Sequence, residues 1–412
     1  MSSVVGRKVA VIAAEGVVLA PSRGNAPQVS SLVRRVFDGS LASCGVLKRE
    51  VEGFVGIPAL CELRFLEGHY QATKLGLFEE GSPVTRTVDS CGASPVTGLL
   101  EAVRMVQYED LEVVAVAAGD VVGSLSSEDF LKKAETVSGD RNELKSPAIV
   151  LGYDRVARYH EKKFERDHYR MAAALESYHA SKHPESLFAQ LKKRPYTLED
   201  LRQAPAVTEM ISVKECAWRA DGAGCVLLAS EKFVNRRNIK ALAWVRGGAE
   251  ASGPLYPKEP EFIKPIHLEG TRRAADAAYA RSGLSPQNIN FFGLYDCFPV
   301  CLLRAIEAAG IADDAGKYVE EQFQRLQNAS PSKESLHADP TFFPINTHGG
   351  LLCYGAPFAV PAFYNIVEAT RQLTNTARGR QIPHCEHALV YGNGGVFSSS
   401  AVAILSSNSS HH

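Results

Sequence analysis

The sequence predicts an α/β protein with more than one packed unit, and three observations support this. Its 412 residues exceed what one ordinary hydrophobic core holds, so we expect two or three units. Short apolar runs that end at glycine or a charged residue alternate with segments of helical apolar spacing, as in sheets covered on both faces. The alternation occurs in two regions, and a strongly basic region separates them.

The first region predicts a central sheet interrupted by a helical insertion. A core strand is predicted at 8–13, and helical spacing at 96–106 precedes the apolar run 113–118, which suits a strand buried on both faces. The strand pattern resumes at 224–229. Residues 126–204 are rich in Lys, Arg, Tyr and helix-forming residues, and we assign them to an inserted helical lobe.

The second region repeats this order of elements. Its predicted helices are 270–283, 300–309, 319–326 and 361–373, and its predicted strands are 289–294, 388–391 and 399–405. A glycine turn, 392–395, separates the last two strands. Each region has a thiol near the start of a core helix, which suggests an internal duplication.

The composition narrows the class of partner. The chain is 45% hydrophobic and 22% charged, with 45 basic and 46 acidic residues, so no global field favours nucleic acid or an anionic membrane. No apolar run suits a transmembrane helix, and we expect no membrane insertion. Nine irregularly spaced cysteines favour a reducing compartment over a disulfide framework. Cys297 and Cys301 lack a second pair of soft ligands, so we expect no metal site.

The most informative stretch is Tyr295-Asp296-Cys297-Phe298, between the strand 289–294 and the helix that follows it. A thiol on a strand-to-helix turn lies where a packed core ends and a cleft can begin. The helix N-terminus beside it favours the thiolate over the thiol. The position therefore indicates chemistry rather than packing.

These residues resemble the thiolase superfamily, and within it the sterol-carrier-protein type of thiolase. Residues 295–298 are similar to its His-Asp-Cys-Phe loop, and residues 221–231 are similar to the strand after its Asp-Gly turn. Residues 346–357 are similar to its Gly-His-Pro segment, and residues 392–395 to its closing glycine loop. The Tyr form of the loop is similar to a variant from trypanosomatid parasites. The resemblance implies a thiolase fold: two similar α/β halves with mixed five-stranded sheets, and an inserted helical loop domain.

The resemblance also implies the site residues. Cys91 would be the nucleophile, an activated thiolate at a helix N-terminus, and Cys297 a second thiol that moves protons. The spacing to the next strand is longer than the family pattern, so Ala93 or Val96 could hold the nucleophile position, and Cys91 could be a buried small residue. The implied oxyanion-hole and substrate-binding residues are Gly392, Gly394 and Gly355.

Two imidazoles of the family are absent. Tyr295 replaces the His of His-Asp-Cys-Phe, and Ala356 replaces the His of Gly-His-Pro. Because general acid–base groups contribute ~10² to 10⁴ in rate, their loss should cripple a Claisen condensation or its reverse. Tyr295 can donate a hydrogen bond but is a poor base near neutral pH. His348 is a candidate substitute, although a His in a glycine turn is more often structural.

We therefore expect a CoA-thioester-binding protein of lipid metabolism with impaired thiolase chemistry. Weak decarboxylation of malonyl-CoA is the activity such a site could retain, because loss of carbon dioxide gives the enolate without a base. Two alternatives stay open: an active acetyl-CoA acetyltransferase that uses Cys91 and Cys297, and a non-catalytic acyl-CoA-binding dimer. The thioester is itself substrate or ligand, and we expect no other cofactor.

Further expectations concern partners and location. The basic lobe should hold the CoA phosphates, and the resemblance implies a homodimer formed through the N-terminal half. It also suggests mitochondria, with the cytosol as the alternative, and the C-terminus is not a peroxisomal tripeptide. The predicted division is an N-terminal half of 1–125 and 205–248, a lobe of 126–204, a C-terminal half of 249–405 and a polar tail of 406–412.

Overall fold

The computed structural model describes residues 7–22, 24–137, 148–255, 257–328 and 340–408. Within these ranges nine strands form one mixed sheet in the order β3-β2-β4-β5-β1-β6-β9-β8-β7. They are β1 (Val9–Leu19), β2 (Gly53–Gly56), β3 (Val84–Thr87), β4 (Val113–Asp120), β5 (Asp221–Ser230), β6 (Ala243–Ser252), β7 (Phe291–Gly293), β8 (His387–Gly394) and β9 (Ser399–Ser406).

The described helices follow most of the predicted helical segments. They are α1 (Val29–Cys44), α2 (Glu67–Leu75), α3 (Leu77–Glu80), α4 (Ser94–Tyr108), α5 (Ser127–Val137), α6 (Ala148–Tyr159), α7 (Arg166–Lys182), α8 (Leu187–Gln190), α9 (Leu198–Arg202), α10 (Glu231–Arg237), α11 (Gly270–Ser282), α12 (Pro299–Ala308), α13 (Ala315–Asn328) and α14 (Ala362–Leu373). None of these helices combines the length and apolarity that crossing a bilayer requires.

The sheet consists of two halves with the same strand order. In the first, β3, β2 and β4 are parallel, and β4, β5 and β1 are antiparallel neighbours. In the second, β7 and β8 are parallel, and β8, β9 and β6 are antiparallel neighbours. An isolated parallel bridge between Phe292 and Ile345 lies where the fifth strand of the second half would be. This repeat of topology supports the predicted internal duplication.

The thiolase fold is confirmed, with two differences in detail from the predicted pair of five-stranded sheets. First, β1 and β6 pair through Ala10–Trp244 and Val11–Ala243, so the two halves form one continuous sheet. Second, the described part of the second half has four strands and a bridge. The outer pairing is short because β7 ends at Gly293, where the Tyr-Asp-Cys-Phe loop leaves the sheet.

Two helices lie in the centre of the molecule and carry the site. Helix α4 packs on β4 of the first half and also on β8 and β9 of the second. Helix α14 packs on β7 and β8 and on β1. Eleven of the twelve residues of α14 are buried, as expected of a helix that contacts protein on every side. The N-termini of both helices therefore begin in the interior.

Helices α5 to α9 lie between β4 and β5, where the sequence predicts the inserted lobe. Its exact boundaries stay a prediction, and residues 138–147 fall outside the described ranges, as does 409–412 of the predicted tail. Many arginines of the lobe are ion-paired: Arg155 with Glu259, Arg166 with Glu215, Arg170 with Asp167, Arg194 with Asp200 and Arg202 with Asp167. Much of the charge expected to hold phosphates is thus neutralised within the protein.

Candidate active site

Cys91 lies on the turn that connects β3 to α4. The turn is held by a hydrogen bond from Ser90 N–H to Ser94 Oγ (2.8 Å) and by Ala93 N–H bonding to the Ser90 carbonyl (3.1 Å). The Cys91 backbone has φ of 51°, a left-handed conformation that is uncommon for a residue with a Cβ. Such conformations persist where surrounding contacts impose them, and they cluster at functional sites. The structure therefore favours Cys91 over Ala93 and Val96 as the residue presented by this turn.

The glycine segment 392–395, whose first three residues form the end of β8 and not the predicted turn, packs against the turn that bears Cys91. A Cβ on Gly392 would lie 2.9 Å from the Cα of Ala93, and one on Gly394 would overlap the Ser90 carbonyl oxygen. Only glycine permits this approach at both positions. The next residue, Gly395, directs its N–H to the Cys91 thiol. Gly392 and Gly394 thus let the two turns meet, and their role as oxyanion donors stays a prediction.

Tyr295 reaches the same place from the other half of the molecule. Its hydroxyl lies so close to Gly92 that a Cβ there would overlap it. The side chain is buried, and burial with the neighbouring thiols of Cys297 and Cys91 raises the pKa of the phenol well above its usual value. At neutral pH Tyr295 is therefore a hydrogen-bond donor beside Cys91 and not a base.

Cys297 lies in the same loop, with its Sγ 3.6 Å from the Sγ of Cys301. Burial and the Cys301 thiol raise its pKa well above the usual value, and hydrogen bonding with Tyr153 opposes the rise only in part. The residue is partly exposed, whereas Cys301 is fully buried. Cys297 is therefore a neutral thiol that can give a proton.

The activated thiolate expected at Cys91 stays a prediction, and the surroundings of this thiol oppose its ionisation. Burial raises its pKa most, and the Asp89 carboxylate adds to the rise. The N–H groups of Gly395 and Gly92 lower the pKa, but not enough to reverse its direction. Thiols are activated beside cations, imidazolium or metals. In the described part of the chain, the principal groups that shift the Cys91 pKa include no such partner.

The Tyr-Asp-Cys-Phe loop is clamped by the segment 346–352. Asn346 Oδ1 accepts from Leu294 N–H (2.7 Å), and its Nδ2 donates to the Leu294 carbonyl (2.9 Å). Two residues on, Asp296 accepts from the N–H groups of Leu351 (2.7 Å) and Leu352 (3.3 Å). The clamp holds the residues on both sides of Tyr295, which fixes the direction of the phenol towards Cys91.

A second carboxyl accompanies this clamp. Glu176 of α7 accepts from Asn346 Nδ2 (3.1 Å), and both Glu176 and Asp296 are fully buried. Burial raises the pKa of each acid, and the charge of Asp296 raises that of Glu176 further. Two like charges this close in the interior do not ionise together. The pair therefore retains a proton that two exposed acids would lose.

His348 does not belong to the site, contrary to its assignment as a catalytic substitute. It is buried against the ring of Tyr354, 5.1 Å between centroids, and interacts with Glu368 of α14 and with Arg380. Burial lowers its pKa to about 4. The left-handed Gly349 (φ 107°) turns the chain after His348, and the buried Nδ1 of His348 has no hydrogen-bond partner among the described residues.

Gly355 also has a packing position rather than a place beside the thiols. Its φ is 131°, and a Cβ there would lie 2.6 Å from Val18 Cγ2 and 3.1 Å from Ala220 Cβ. The neighbouring Ala356, which replaces a family histidine, donates its N–H to the Trp218 carbonyl (2.8 Å). The substrate-binding role assigned to Gly355 is not supported by these contacts.

Two site residues were missed at the level of sequence, Gly395 and Tyr153. Tyr153 of α6 donates its hydroxyl to the Gly395 carbonyl (2.6 Å) and accepts from Asn393 Nδ2 (2.9 Å). Its ring lies 4.7 Å from that of Phe298. Tyr153 is one of several tyrosines in the lobe, and no motif marks it. Gly395 follows Gly394 directly, and it could have been predicted if all four residues of 392–395 had been considered as site residues.

Comparison with known proteins agrees with this architecture. Residues 263–407 match the family described as thiolase C-terminal domain-like. The chain is 29% identical over 220 residues to sterol carrier protein 2 of Bos taurus; the match covers 52% of this chain and spans only 37% of that relative's length.

Solved structures extend the likeness over the whole chain. An Ltp2-ChsH2(DUF35) aldolase superposes with a TM-score of 0.79 at 20% identity, covering 99% of this chain and 100% of that one. Human mitochondrial 3-ketoacyl-CoA thiolase superposes with a TM-score of 0.71 at 15% identity, covering 98% and 99%. The chain thus has the thiolase fold, and its sequence is similar to sterol carrier protein 2 and, over residues 263–407, to the thiolase C-terminal domain-like family.

Proposed function

We propose that the protein binds an acyl-CoA thioester and makes or breaks a carbon–carbon bond beside the thioester through an enolate. In this proposal the acyl group is not transferred to Cys91. One arrangement carries it: the Tyr295 hydroxyl lies against Gly92, Gly394 packs on the Ser90 carbonyl, and burial raises the pKa of Cys91, Tyr295 and Cys297. The proposal keeps the expected CoA ligand and the expected loss of thiolase chemistry.

The protonation states decide between reaction types. Acyl transfer requires a thiolate nucleophile, and the raised pKa of Cys91 keeps its thiol protonated. An enolate requires only donors aimed at the developing negative oxygen, such as a backbone N–H and a phenol. Gly395 N–H and the Tyr295 hydroxyl are donors of these kinds on the two sides of Cys91.

Decarboxylation of malonyl-CoA is the first candidate reaction. The bond between Cα and the carboxylate breaks, carbon dioxide leaves, and the electron pair forms the enolate of acetyl-CoA. Cα then takes a proton from Cys297 or Tyr295, and solvent restores that proton. No base is needed at any step, which matches a site whose two thiols and phenol are protonated.

Aldol cleavage of a β-hydroxyacyl-CoA is the second candidate. It gives the same enolate, and a solved aldolase has the same fold over the full chain. The reaction also requires a group that removes the hydroxyl proton. Burial raises the pKa of Tyr153 and of Tyr295 well above that of a free phenol, so both stay protonated at neutral pH and cannot accept that proton. We therefore rank it second.

Recognition of the CoA phosphates falls to the lysines of the lobe, because much of its arginine charge is ion-paired. Lys192 and Lys193 are exposed, and the Lys193 ammonium lies 5.7 Å from the centre of the Trp218 ring. Binding should weaken with salt as these contacts are screened. The homodimer, the mitochondrial location and the likeness to the trypanosomatid variant stay predictions.

The test compares three substrates with one purified protein: malonyl-CoA, a β-hydroxyacyl-CoA, and acetoacetyl-CoA with free CoA. We expect carbon dioxide release from malonyl-CoA to exceed thiolysis. Tyr295→Phe should lower it about 10²-fold through loss of one oxyanion donor. Tyr279→Phe, which removes a buried hydroxyl bonded to the Ala309 carbonyl, is the matched control.

Cys91→Ala separates the proposal from acyl transfer. Decarboxylation should survive this change to within about tenfold, whereas any reaction through an acyl-enzyme should be abolished. Thiolysis that is faster than decarboxylation and disappears in Cys91→Ala would refute the proposal and establish an acetyltransferase. Binding of all three thioesters without turnover would instead establish an acyl-CoA-binding protein.

A further inference from the structure

The inserted lobe contributes one side chain to the centre of the candidate site. Tyr153 belongs to α6 of the lobe, yet its hydroxyl is bonded to Gly395 and Asn393, 242 and 240 residues away in the chain. Its side chain is 3% exposed, and its ring contacts Phe298 of the Tyr-Asp-Cys-Phe loop and Phe397 of the turn after Gly395. Tyr153 therefore contacts both segments that face Cys91.

Gly395 depends on this contact for its orientation. Strand β8 ends at Gly394, so sheet pairing does not hold Gly395, and its φ of 60° lies in the left-handed region. A glycine outside a strand has many accessible conformations. The Tyr153 hydroxyl holds the Gly395 carbonyl at 2.6 Å. The preceding peptide, whose Gly394 carbonyl accepts from Ser398 N–H at 3.0 Å, carries the Gly395 N–H that lowers the pKa of the Cys91 thiol.

The Tyr153 hydroxyl accepts one hydrogen bond and donates another, and its partners determine which is which. Asn393 Nδ2 donates to it at 2.9 Å, so its own hydrogen is directed to the Gly395 carbonyl. Asn393 is buried and lies in β8, which fixes this donor in the sheet. The strand thus orients the phenol, and the phenol orients the turn.

We propose that Tyr153 is a positioning residue of the site, which holds the Gly395 turn so that its N–H faces Cys91. The inference rests on the proposed function, in which that N–H stabilises the thioester enolate. It also gives the inserted lobe a definite role: the site is complete only when α6 is docked against the glycine turn.

Tyr153→Phe isolates this role because it removes the hydroxyl and keeps the ring that packs on Phe298 and Phe397. Tyr169→Phe is the matched control, since it removes another buried lobe hydroxyl, which is bonded to the Ala157 carbonyl at 3.4 Å and lies outside the site. Asn393→Asp is a second variant for the case in which Tyr153→Phe lowers the yield of folded protein, because it removes the donor that orients the phenol.

The first readout is independent of any catalytic activity. Iodoacetamide labelling of the Cys91 and Cys297 peptides is followed by mass spectrometry between pH 7 and pH 10. Tyr153→Phe should move the Cys91 labelling profile to higher pH and lower its rate at pH 8 about fivefold, because the Cys91 thiolate loses the Gly395 N–H donor. Tyr169→Phe should match the unsubstituted protein. Unchanged profiles for both Tyr153→Phe and Asn393→Asp would overturn the proposal.

The second readout is the steady-state kinetics of malonyl-CoA decarboxylation. Tyr153→Phe should lower kcat about tenfold and leave KM within about twofold, as expected when a donor is misplaced in the transition state alone. A rise in KM at constant kcat would contradict the positioning role. If the unsubstituted protein turns over none of the thioesters, the proposed function fails, while the labelling profiles still decide the role of Tyr153.

Discussion

Replacement of Asn346 by alanine should be among the most damaging single changes near the site. Asn346 is fully buried, and its amide bonds both the N–H and the carbonyl of Leu294 and also donates to Glu176. Asn346→Ala leaves two buried backbone groups without partners, at about 1–3 kcal/mol each. Its φ of 46° suits Asn better than Ala, which adds about 1 kcal/mol. We expect a loss of about 3–7 kcal/mol in the free energy of unfolding.

Asn365 provides a matched control for this prediction. It is also a fully buried Asn, it lies in α14, and neither polar atom of its side chain has a hydrogen-bond partner among the described residues. Asn365→Ala removes an amide that gains nothing from burial, and alanine is the better helix former. We expect its effect to stay within about 1 kcal/mol and to have either sign.

The assay is denaturant unfolding followed by tryptophan fluorescence. Trp218 donates its N–H to the Leu352 carbonyl near the clamp, and Trp244 lies in β6, so the two residues report on different parts of the fold. Asn346→Ala should shift the Trp218 transition to lower denaturant, and Asn365→Ala should leave it in place. Equal denaturation midpoints for the two variants would refute the reasoning, because the loss of unfolding free energy would then depend on burial of the Asn side chain and not on its hydrogen bonds.

The remaining predictions concern the close approach at the site and the buried acids. Gly394→Ala should lower thioester turnover more than tenfold, because its Cβ would overlap the Ser90 carbonyl, and the far-ultraviolet circular dichroism spectrum should not change. Gly39→Ala is the control and should behave as the parent in the same assay, because its Cβ would meet only a side-chain atom at 3.9 Å. Glu176→Gln should become more stable than the parent as pH rises from 4.5 to 8, because burial raises the folded-state pKa of Glu176 and ionisation then favours the unfolded chain. Glu368→Gln should become less stable than the parent over the same pH range in the same thermal melts. Burial raises the pKa of Glu368, but the ion pair with Arg380 outweighs burial and the net pKa is lowered. The carboxylate therefore stabilises the fold at neutral pH and loses this effect only in acid. Parallel melting profiles for the two Gln variants would show that these shifts do not control stability.

The fold could be predicted from the sequence because its signals are local. All eight residues of β4 are buried, and this strand was predicted from a continuous apolar run. The length of β1 could not be predicted in the same way. Its second part contains Glu15 and Gly16, which interrupt the apolar pattern, although both pair with β5. Tertiary pairing there outweighs local propensity.

The site was only partly predictable, for two physical reasons. Contacts such as Tyr153 with Asn393 join residues 240 positions apart, and no local pattern distinguishes Tyr153 from Tyr159 on the same helix. The thiolate expected at Cys91 stays a prediction, because burial, which a sequence does not show, raises its pKa more than the N–H groups of Gly395 and Gly92 lower it. The direction of the His348 side chain was likewise not predictable, since it is set by the fold around Gly349.

The sizes of the rate effects favour the proposed decarboxylation of a thioester over thiolysis or Claisen condensation, although all of these reactions pass through the same enolate. Thiolysis and Claisen condensation lose two imidazoles, each with a contribution of ~10² to 10⁴ in rate. Enolate stabilisation retains a backbone donor, and one such donor contributes on the order of 10² to 10³. A reaction that requires proton removal therefore loses about 10⁴ to 10⁸, whereas one that generates the enolate by bond cleavage loses little. Under the proposed function, Gly395 N–H and the Tyr295 hydroxyl would decide which reaction the site retains, and Tyr153, which bonds to Gly395, would make that reaction depend on the docked lobe.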